Sequence, residues 1–314
     1  MQKIRTAVVG VGHIGREHAR INAHLPDVEF TGIYDIDTEV CQRLAIHHKI
    51  KKFSSYEEVA QHCDAVTIAT PTNTHYQIAE FFLSRGKHVL VEKPITNDTA
   101  EAGKLVALAH QKGVALQVGH IERFNPVLRI LEEKLTHPMF IEAHRLSPYP
   151  ARSTDIGVVL DLMIHDLEIV LHLVRSPIVS VDSVGVAVLS KGEDIANARL
   201  RFQNGCVANI TTSRISPEKL RKIRVFQDDV YLSLDYQNQS GEIYRKVKSQ
   251  ITRESIPIEK EEPLKLEVAA FIECVRNQGK PVVGGSQAAA ALDVAMQITE
   301  QIWAKQPAPE LATS

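Results

Sequence analysis

Apolar and polar positions along this chain change rhythm once, near residue 140. Before that point short apolar runs recur without alternation: Ile4 with Ala7 to Val9, Val28 to Tyr34, Ala65 to Ala69, Val89 to Val91 and Val114 to Val118. Such runs are what strands buried on both faces require. Between them apolar residues recur at helical spacing, as Ile78, Phe81 and Phe82 do. Helices are also predicted over Glu39 to His48, after a capping box of Ser55 and Glu58, and from a cap at Asn97 or Asp98 to a stop at Gly113. Strands alternating with helices imply a doubly wound parallel sheet.

From Phe140 the period becomes two. Val184, Val186 and Val188 alternate with small residues, and Ala196, Ala198, Leu200 and Phe202 alternate with Asn197, Arg199 and Arg201. Asn204-Gly205 marks a hairpin turn, after which Cys206 to Ser213 runs back. Val230, Leu232 and Leu234 alternate with Tyr231, Ser233 and Asp235. These predict antiparallel strands with one face toward a core and the other available, and therefore an oligomer, a homodimer or homotetramer. One helix, Gly157 to Val174, interrupts the strands, and two more, about Leu264 to Gln278 and Ser286 to Lys305, close the chain. The expected architecture is α/β: a Rossmann domain over residues 1–120, then an α+β domain over 121–314 built on a mostly antiparallel open sheet.

The first strand leads into Gly10, Gly12 and Gly15 in G-x-G-x-x-G spacing. The first glycine permits a tight turn, the second lets a pyrophosphate approach the backbone, and the third lets the helix pack close to the strand. N–H groups at the helix start, around His13 and Ile14, then favour phosphate charge. The second strand ends at Asp35, twenty residues after Gly15, where a carboxylate can accept hydrogen bonds from a ribose diol. Asp35 and Asp37 repel a 2′-phosphate, and no Arg or Lys stands between Asp35 and Arg43 to hold one, so NAD is favoured over NADP. Ligands of such sheets bind beyond the carboxyl ends of the strands. The cofactor residues are accordingly expected to be Gly10, Gly12, His13, Ile14, Gly15, Asp35, Thr70, Pro71, Thr72, Asn73, His75, Glu92, Lys93 and Pro94, lining one crevice with the Gly119–Asn125 stretch.

Two further features bear on chemistry. Lys93 follows a buried strand and precedes Pro94, which restricts it to extended conformations. It is either a solvated loop lysine or a donor that steadies the oxygen gaining negative character as hydride leaves carbon. In the helix Gly157 to Val174, Leu160, Ile164, Leu167 and Leu171 form an apolar stripe beside a polar one of Asp161, His165, Glu168 and His172. Asp161 and His165, four apart, share a face, and a carboxylate beside an imidazole suits a general base. A solvated helix face is the other reading of that stripe. The helix supplies only two metal ligands with no further cluster evident, so no metal is expected.

Composition narrows the class. In 314 residues, 36 basic and 38 acidic side chains nearly balance, which does not suggest nucleic acid or a membrane surface as a partner. There is no run of membrane-spanning length, the chain enters a strand directly rather than a signal peptide, and Cys41, Cys63, Cys206 and Cys274 form no C-x-x-C pair. A cytoplasmic protein acting on a small molecule is the expectation.

Together AVVGVGHIG, ATPTNTH, GKHVLVEKP, GVVLDLMIHDLE and the final helix pair around PVVGG resemble the Gfo/Idh/MocA family of sugar and polyol dehydrogenases over nearly the whole chain. The resemblance implies that Lys93, Asp161 and His165 form the active site, that the Lys93–Pro94 bond is cis, and that hydride moves between a sugar ring carbon and nicotinamide. Within the family, VGHIERFNP at 118–126 and VLDLMIHD at 159–166 resemble the branch that oxidises the 3-hydroxyl of UDP-N-acetylglucosamine, whose ketone an aminotransferase then consumes. A nucleoside diphosphate needs cations, for which Arg123 and Arg152 are candidates, while Lys93, His165, Asn125 and Tyr149 would meet the sugar. An inositol or simple-sugar dehydrogenase, and a non-catalytic NAD sensor, are the rival readings.

Overall fold

The structure, a computed structural model, describes residues 3–149, 156–228 and 230–304. It falls into two compact units: residues up to Asn125 with Glu261–Ala290, and Pro126–Lys260 with the chain from Ala291 onward.

In the first unit the elements are β1 (Ile4–Val9), α1 (His13–His24), β2 (Val28–Tyr34), α2 (Thr38–His48), β3 (Lys51–Lys52), α3 (Tyr56–His62), β4 (Ala65–Ile68), α4 (His75–Ser84), β5 (His88–Glu92), α5 (Thr99–Lys112) and β6 (Leu116–Gly119). All six strands are parallel, in the order β3-β2-β1-β4-β5-β6. The order reverses at β1, so the glycine loop leaves the sheet at its topological switch point. The central strands are buried on both faces, which is why they read as unbroken apolar runs. Local chemistry ends the helices as expected: Asp98 caps α5, and Gly113 closes it in the left-handed conformation at φ +64°. Two sequence expectations need correction. Ser55 Oγ caps α3 by accepting the Glu58 N–H, but Glu58 reaches back to Ser54, one residue short of a closed box. Phe81 is only half-buried, with the Arg85 guanidinium 3.5 Å over its ring, and Leu83 takes its place in the core.

The second unit begins with α6 (Pro126–Lys134) and β7 (Phe140–Leu146), followed by α7 (Ile164–Val174). Seven strands follow: β8 (Ile178–Val186), β9 (Ile195–Phe202), β10 (Val207–Ser213), β11 (Leu220–Gln227), β12 (Val230–Asp235), β13 (Ser240–Val247) and β14 (Gln250–Ile256). The sheet order is β14-β13-β12-β11-β7-β10-β9-β8, antiparallel throughout except between β7 and β10. In β8 the facing is the reverse of what apolar alternation suggests. Val184 and Val186 are exposed, while Ser183 and Gly185 turn to the last helix, where a Cβ on Gly185 would stand 2.8 Å from Ile302 Cδ1. Only small residues admit the helix so close.

The chain ends with α8 (Pro263–Asn277) and α9 (Gly285–Ala304). A single crossing near residue 120 is not what the chain does. It leaves the first unit at Asn125 and returns at Glu261 because α8 belongs to the first core: Leu264, Val268, Phe271 and Ile272 pack with Ile21, Val28, Ala65 and Leu90. Burying one such side chain contributes about 1.5–3 kcal/mol, so α8 stabilises that unit strongly. The four cysteines are free and buried. No helix among the described residues is long and apolar enough to cross a membrane.

Candidate active site

The glycine loop is shaped by what its neighbours exclude. A Cβ on Gly15 would lie 1.9 Å from Gly10 O, so α1 can start there only with glycine. Gly10 has φ +85°, and a Cβ on it would stand 2.7 Å from the Ala69 carbonyl. Gly12 differs, since a Cβ there would meet nothing within 4 Å. Gly12 is also the N-cap of α1, with no side chain capping the helix. An open approach to uncapped helical N–H groups is what a pyrophosphate requires.

Asp35 closes the other side of this loop. Its Oδ2 accepts the Val11 N–H at 2.6 Å and its Oδ1 the Asp37 N–H at 2.8 Å. Each oxygen keeps lone-pair capacity for a diol. Asp37 caps α2 by accepting from Glu39 and Val40, so its charge serves the helix start. Glycine cradle, uncapped helix and oriented carboxylate fit a dinucleotide, with Gly10, Gly12, His13, Ile14, Gly15 and Asp35 as the residues to hold it.

At the ends of β4 and β5 the picture is mixed. After Thr70 and Pro71 comes a short 3₁₀ segment, Thr72–Thr74, that includes Asn73, and the Thr74 hydroxyl donates to that of Thr70 at 2.8 Å. The Lys93–Pro94 bond is cis. Of the residues expected at the cofactor, His75 and Glu92 have side chains that turn toward the protein. The His75 ring is buried, with Nδ1 2.9 Å from Pro94 O and Nε2 2.9 Å from Thr70 O, so it ties the two loops together. Burial lowers its pKa despite those carbonyls, which favour the charged ring. The Glu92 carboxylate lies 2.7 Å from His18 Nε2 and accepts the Lys93 N–H at 3.3 Å. Past β6, His120 is buried, and burial followed by the charges of Lys93 and Arg123 lowers its pKa to about 3. A neutral imidazole therefore stands in the electrostatic reach of Lys93, a neighbour sequence spacing did not reveal. Asn125 is buried and donates to Glu122 at 3.3 Å, so its amide supports the loop around the half-buried Arg123.

In the second unit the helix carrying Asp161 and His165 is not a plain amphipathic helix. It opens with a wide π turn, Val159–Met163, and becomes α-helical from Ile164. Its residues are buried on nearly every side: Val159, Met163, Ile164, Leu167, Ile169 and Val170, with His165, Asp166 and Glu168 among them. The solvated-face reading of the polar stripe is thereby excluded for His165 and Glu168. Asp166, absent from the sequence reading, makes a buried two-pronged pair with Arg145 of β7, at 2.7 and 3.0 Å. His172, at the far end, pairs with Glu132 at 2.6 Å.

A second anchor holds the helix start. Glu193 is buried; its Oε1 accepts the Val159 N–H at 3.1 Å and its carbonyl the Val158 N–H at 3.0 Å. Beside it the Asp194 carboxylate gathers the N–H groups of Val188, Leu189 and Ser190 and the Arg214 guanidinium, which also donates to Ile156 O at 2.7 Å. Single-turn π insertions are frequent at functional sites, and here the clamped one contains Asp161 and leads straight into His165. Tyr149 is exposed, its hydroxyl 2.8 Å from Ser190 Oγ. Arg152 lies outside the described residues.

Known proteins match both units. The oxidoreductase family with an NAD-binding Rossmann fold matches residues 4–120, and the GFO/IDH/MocA C-terminal domain matches residues 130–232. The UDP-N-acetylglucosamine 3-dehydrogenase of Acidithiobacillus ferrooxidans is 35% identical over 305 residues, covering 95% of this chain and 97% of that protein. A solved structure of that enzyme superposes with a TM-score of 0.93 over 97% of this chain and 99% of the other. The NAD(+)-dependent scyllo-inositol 2-dehydrogenase of Bacillus subtilis is 25% identical over 319 residues, 95% of this chain and 93% of that protein. Levoglucosan dehydrogenase, solved with NADH and levoglucosan, shares the fold with a TM-score of 0.88 at 15% identity, covering 97% of this chain and 98% of the other. The glycine cradle and the two domain matches thus describe one kind of protein, a member of the Gfo/Idh/MocA family of NAD-dependent oxidoreductases.

Proposed function

We propose that this enzyme oxidises a ring hydroxyl of a nucleotide sugar, the 3-hydroxyl of UDP-N-acetylglucosamine, with Lys93, Asp161 and His165 serving one reaction. The observation that carries the substrate is the 35% identity, over 95% of the chain, to an enzyme of that name. NAD, when bound, supplies the hydride acceptor. His165, whose imidazole is buried in its helix, takes the hydroxyl proton. Asp161 orients that imidazole and supports its charge. Lys93 donates to the substrate oxygen and steadies negative character as the carbonyl forms. Arg123 and Arg152 offer the cations a diphosphate needs, and Tyr149 a hydrogen bond to the sugar.

The test is NADH formation with UDP-N-acetylglucosamine, UDP-glucose, free N-acetylglucosamine and inositol, with an aminotransferase or carbonyl trap present. Turnover of UDP-N-acetylglucosamine alone, with a raised KM in Arg123→Ala or Arg152→Ala, is the expected result. Lys93→Ala and His165→Ala should each lower kcat by roughly a hundredfold or more while NAD binding survives. Turnover of inositol with no response to any UDP-sugar would overturn the substrate and leave the oxidoreductase class intact.

A further inference from the structure

Behind the Glu-Lys-Pro turn, the first unit gathers three titratable side chains, two of them fully buried. His18 comes from α1, Glu92 from the end of β5 and Glu267 from α8, with one nitrogen or oxygen of each within 4.8 Å of the others. His18 and Glu267 are 0% exposed. Neither Glu267 carboxyl oxygen has a hydrogen-bond partner among the described residues, and neither does His18 Nδ1. The surroundings are tight: a Cβ on Gly119 would stand 2.9 Å from Glu92 Oε2, and the Gln117 side chain donates to Glu267 O at 3.2 Å. His75 of α4 also lies within electrostatic reach of the Glu92 carboxylate.

Charge decides what this cluster is. Two ionised carboxylates beside a neutral imidazole would place two negative charges in a closed interior, and each buried ion costs several kcal/mol unless paired. Burial, then the adjacent Glu92, pushes Glu267 well above the usual carboxyl range. A shared metal ion would be the other way to neutralise the site. Two ligands of one zinc or manganese ion, however, stand roughly 3.0–3.4 Å apart. His18 Nε2 and Glu92 Oε1 are 2.7 Å apart, the length of a charge-assisted hydrogen bond. That separation matches a hydrogen bond better than two ligands on one metal ion.

We propose that Glu267 is a positioning residue for the Glu92–Lys93–Pro94 turn: as an uncharged acid it leaves Glu92 as the one carboxylate, aligned between His18 and the Lys93 N–H, and so aims Lys93. The kinetic half of this inference rests on Lys93 acting in the reaction proposed above, whereas the protonation half does not.

The test uses the full chain with NAD. The infrared spectrum at neutral pH should show a protonated carboxyl band in the wild type that is missing from Glu267→Gln. Glu267→Gln, neutral and of the same shape, should keep kcat within about twofold and melt no lower than the wild type. Glu267→Leu removes the polar group and should lower kcat about tenfold or more with NAD affinity unchanged, the scale of a misplaced catalytic group. Loss of the band, a tenfold fall in kcat for folded Glu267→Gln, or full activity in folded Glu267→Leu would each overturn the proposal. So would stoichiometric zinc or manganese that the wild type retains and Glu267→Gln loses. If Lys93→Ala kept full turnover, the active-site reading would fail, and band and metal content would still decide the state of Glu267.

Discussion

Asp35 uses one carboxylate twice. It is fixed by the N–H groups of Val11 and Asp37, so the same oxygens that would meet a ribose diol are already oriented and charged. A 2′-phosphate would meet that charge with no Arg or Lys before Arg43 to offset it. Asp35→Ala removes an acceptor worth about 1.5–3 kcal/mol, so NAD should bind roughly ten- to a hundredfold more weakly and discrimination against NADP should relax. Calorimetric titration of stripped protein with both cofactors checks this; a wild type that prefers NADP would contradict it. At this scale the sequence was informative about position and silent about direction. The glycine spacing and Asp35 were legible because each acts where it stands in its strand–turn–helix unit. His75 and Glu92 stand at strand ends as expected, yet their side chains turn inward, because their partners, Thr70 O, Pro94 O and His18, are set by the tertiary fold. Glu267 gave no signal at all, since it meets His18 and Glu92 only across the whole length of the chain.

The element that most needs explaining is the helix of Asp161 and His165. Their spacing of four was readable; the π turn was not, because Val159–Met163 holds neither glycine nor proline to mark it. Its physical cause lies on the loop before β9, where Glu193 takes the Val159 N–H and Asp194 holds Arg214. Burial alone would raise the Asp194 carboxyl; the Leu189 N–H, the Arg214 guanidinium and the Ser190 donors outweigh it and hold it below the usual range. A carboxyl depressed on folding stabilises the protein above its unfolded value, about pH 3.9, and that contribution is lost as pH falls toward the folded value. Asp194→Asn leaves Arg214 buried without its counter-charge and should cost about 3–5 kcal/mol at pH 7. Urea unfolding of both proteins should show that difference shrinking as pH drops below about 4. A difference that does not change with pH would mean the carboxyl carries no depressed pKa.

Across the whole molecule, the open face of the second sheet carries a row of rings. Phe140, Phe226, Tyr231 and Tyr244 sit on four successive strands with centroids 5.6, 4.6 and 4.9 Å apart. Beside them Arg224 and Glu142 pair at 2.7 Å. A half-exposed row of rings beside a charge pair is a surface suited to a second copy of this chain. The wild type should be at least a dimer by light scattering, and Tyr231→Asp should shift it toward monomer without loss of secondary structure; a monomeric wild type would remove this reading. The alternation that predicts this face was plain in the sequence. The parallel pairing of β7 with β10 was not, nor was the return of α8 to the first unit, since both depend on contacts far apart along the chain.

That return has a consequence for how the protein is made. The ribosome finishes the six parallel strands early, yet the surface formed by Ile21, Val28, Ala65 and Leu90 waits for α8. Residues 126–260 must be synthesised first, 135 of them. At about 5–20 residues per second the nascent chain holds an apolar patch uncovered for roughly 7 to 27 seconds. A chaperone that shields that patch during synthesis would therefore raise the yield of folded enzyme without ever touching the finished molecule.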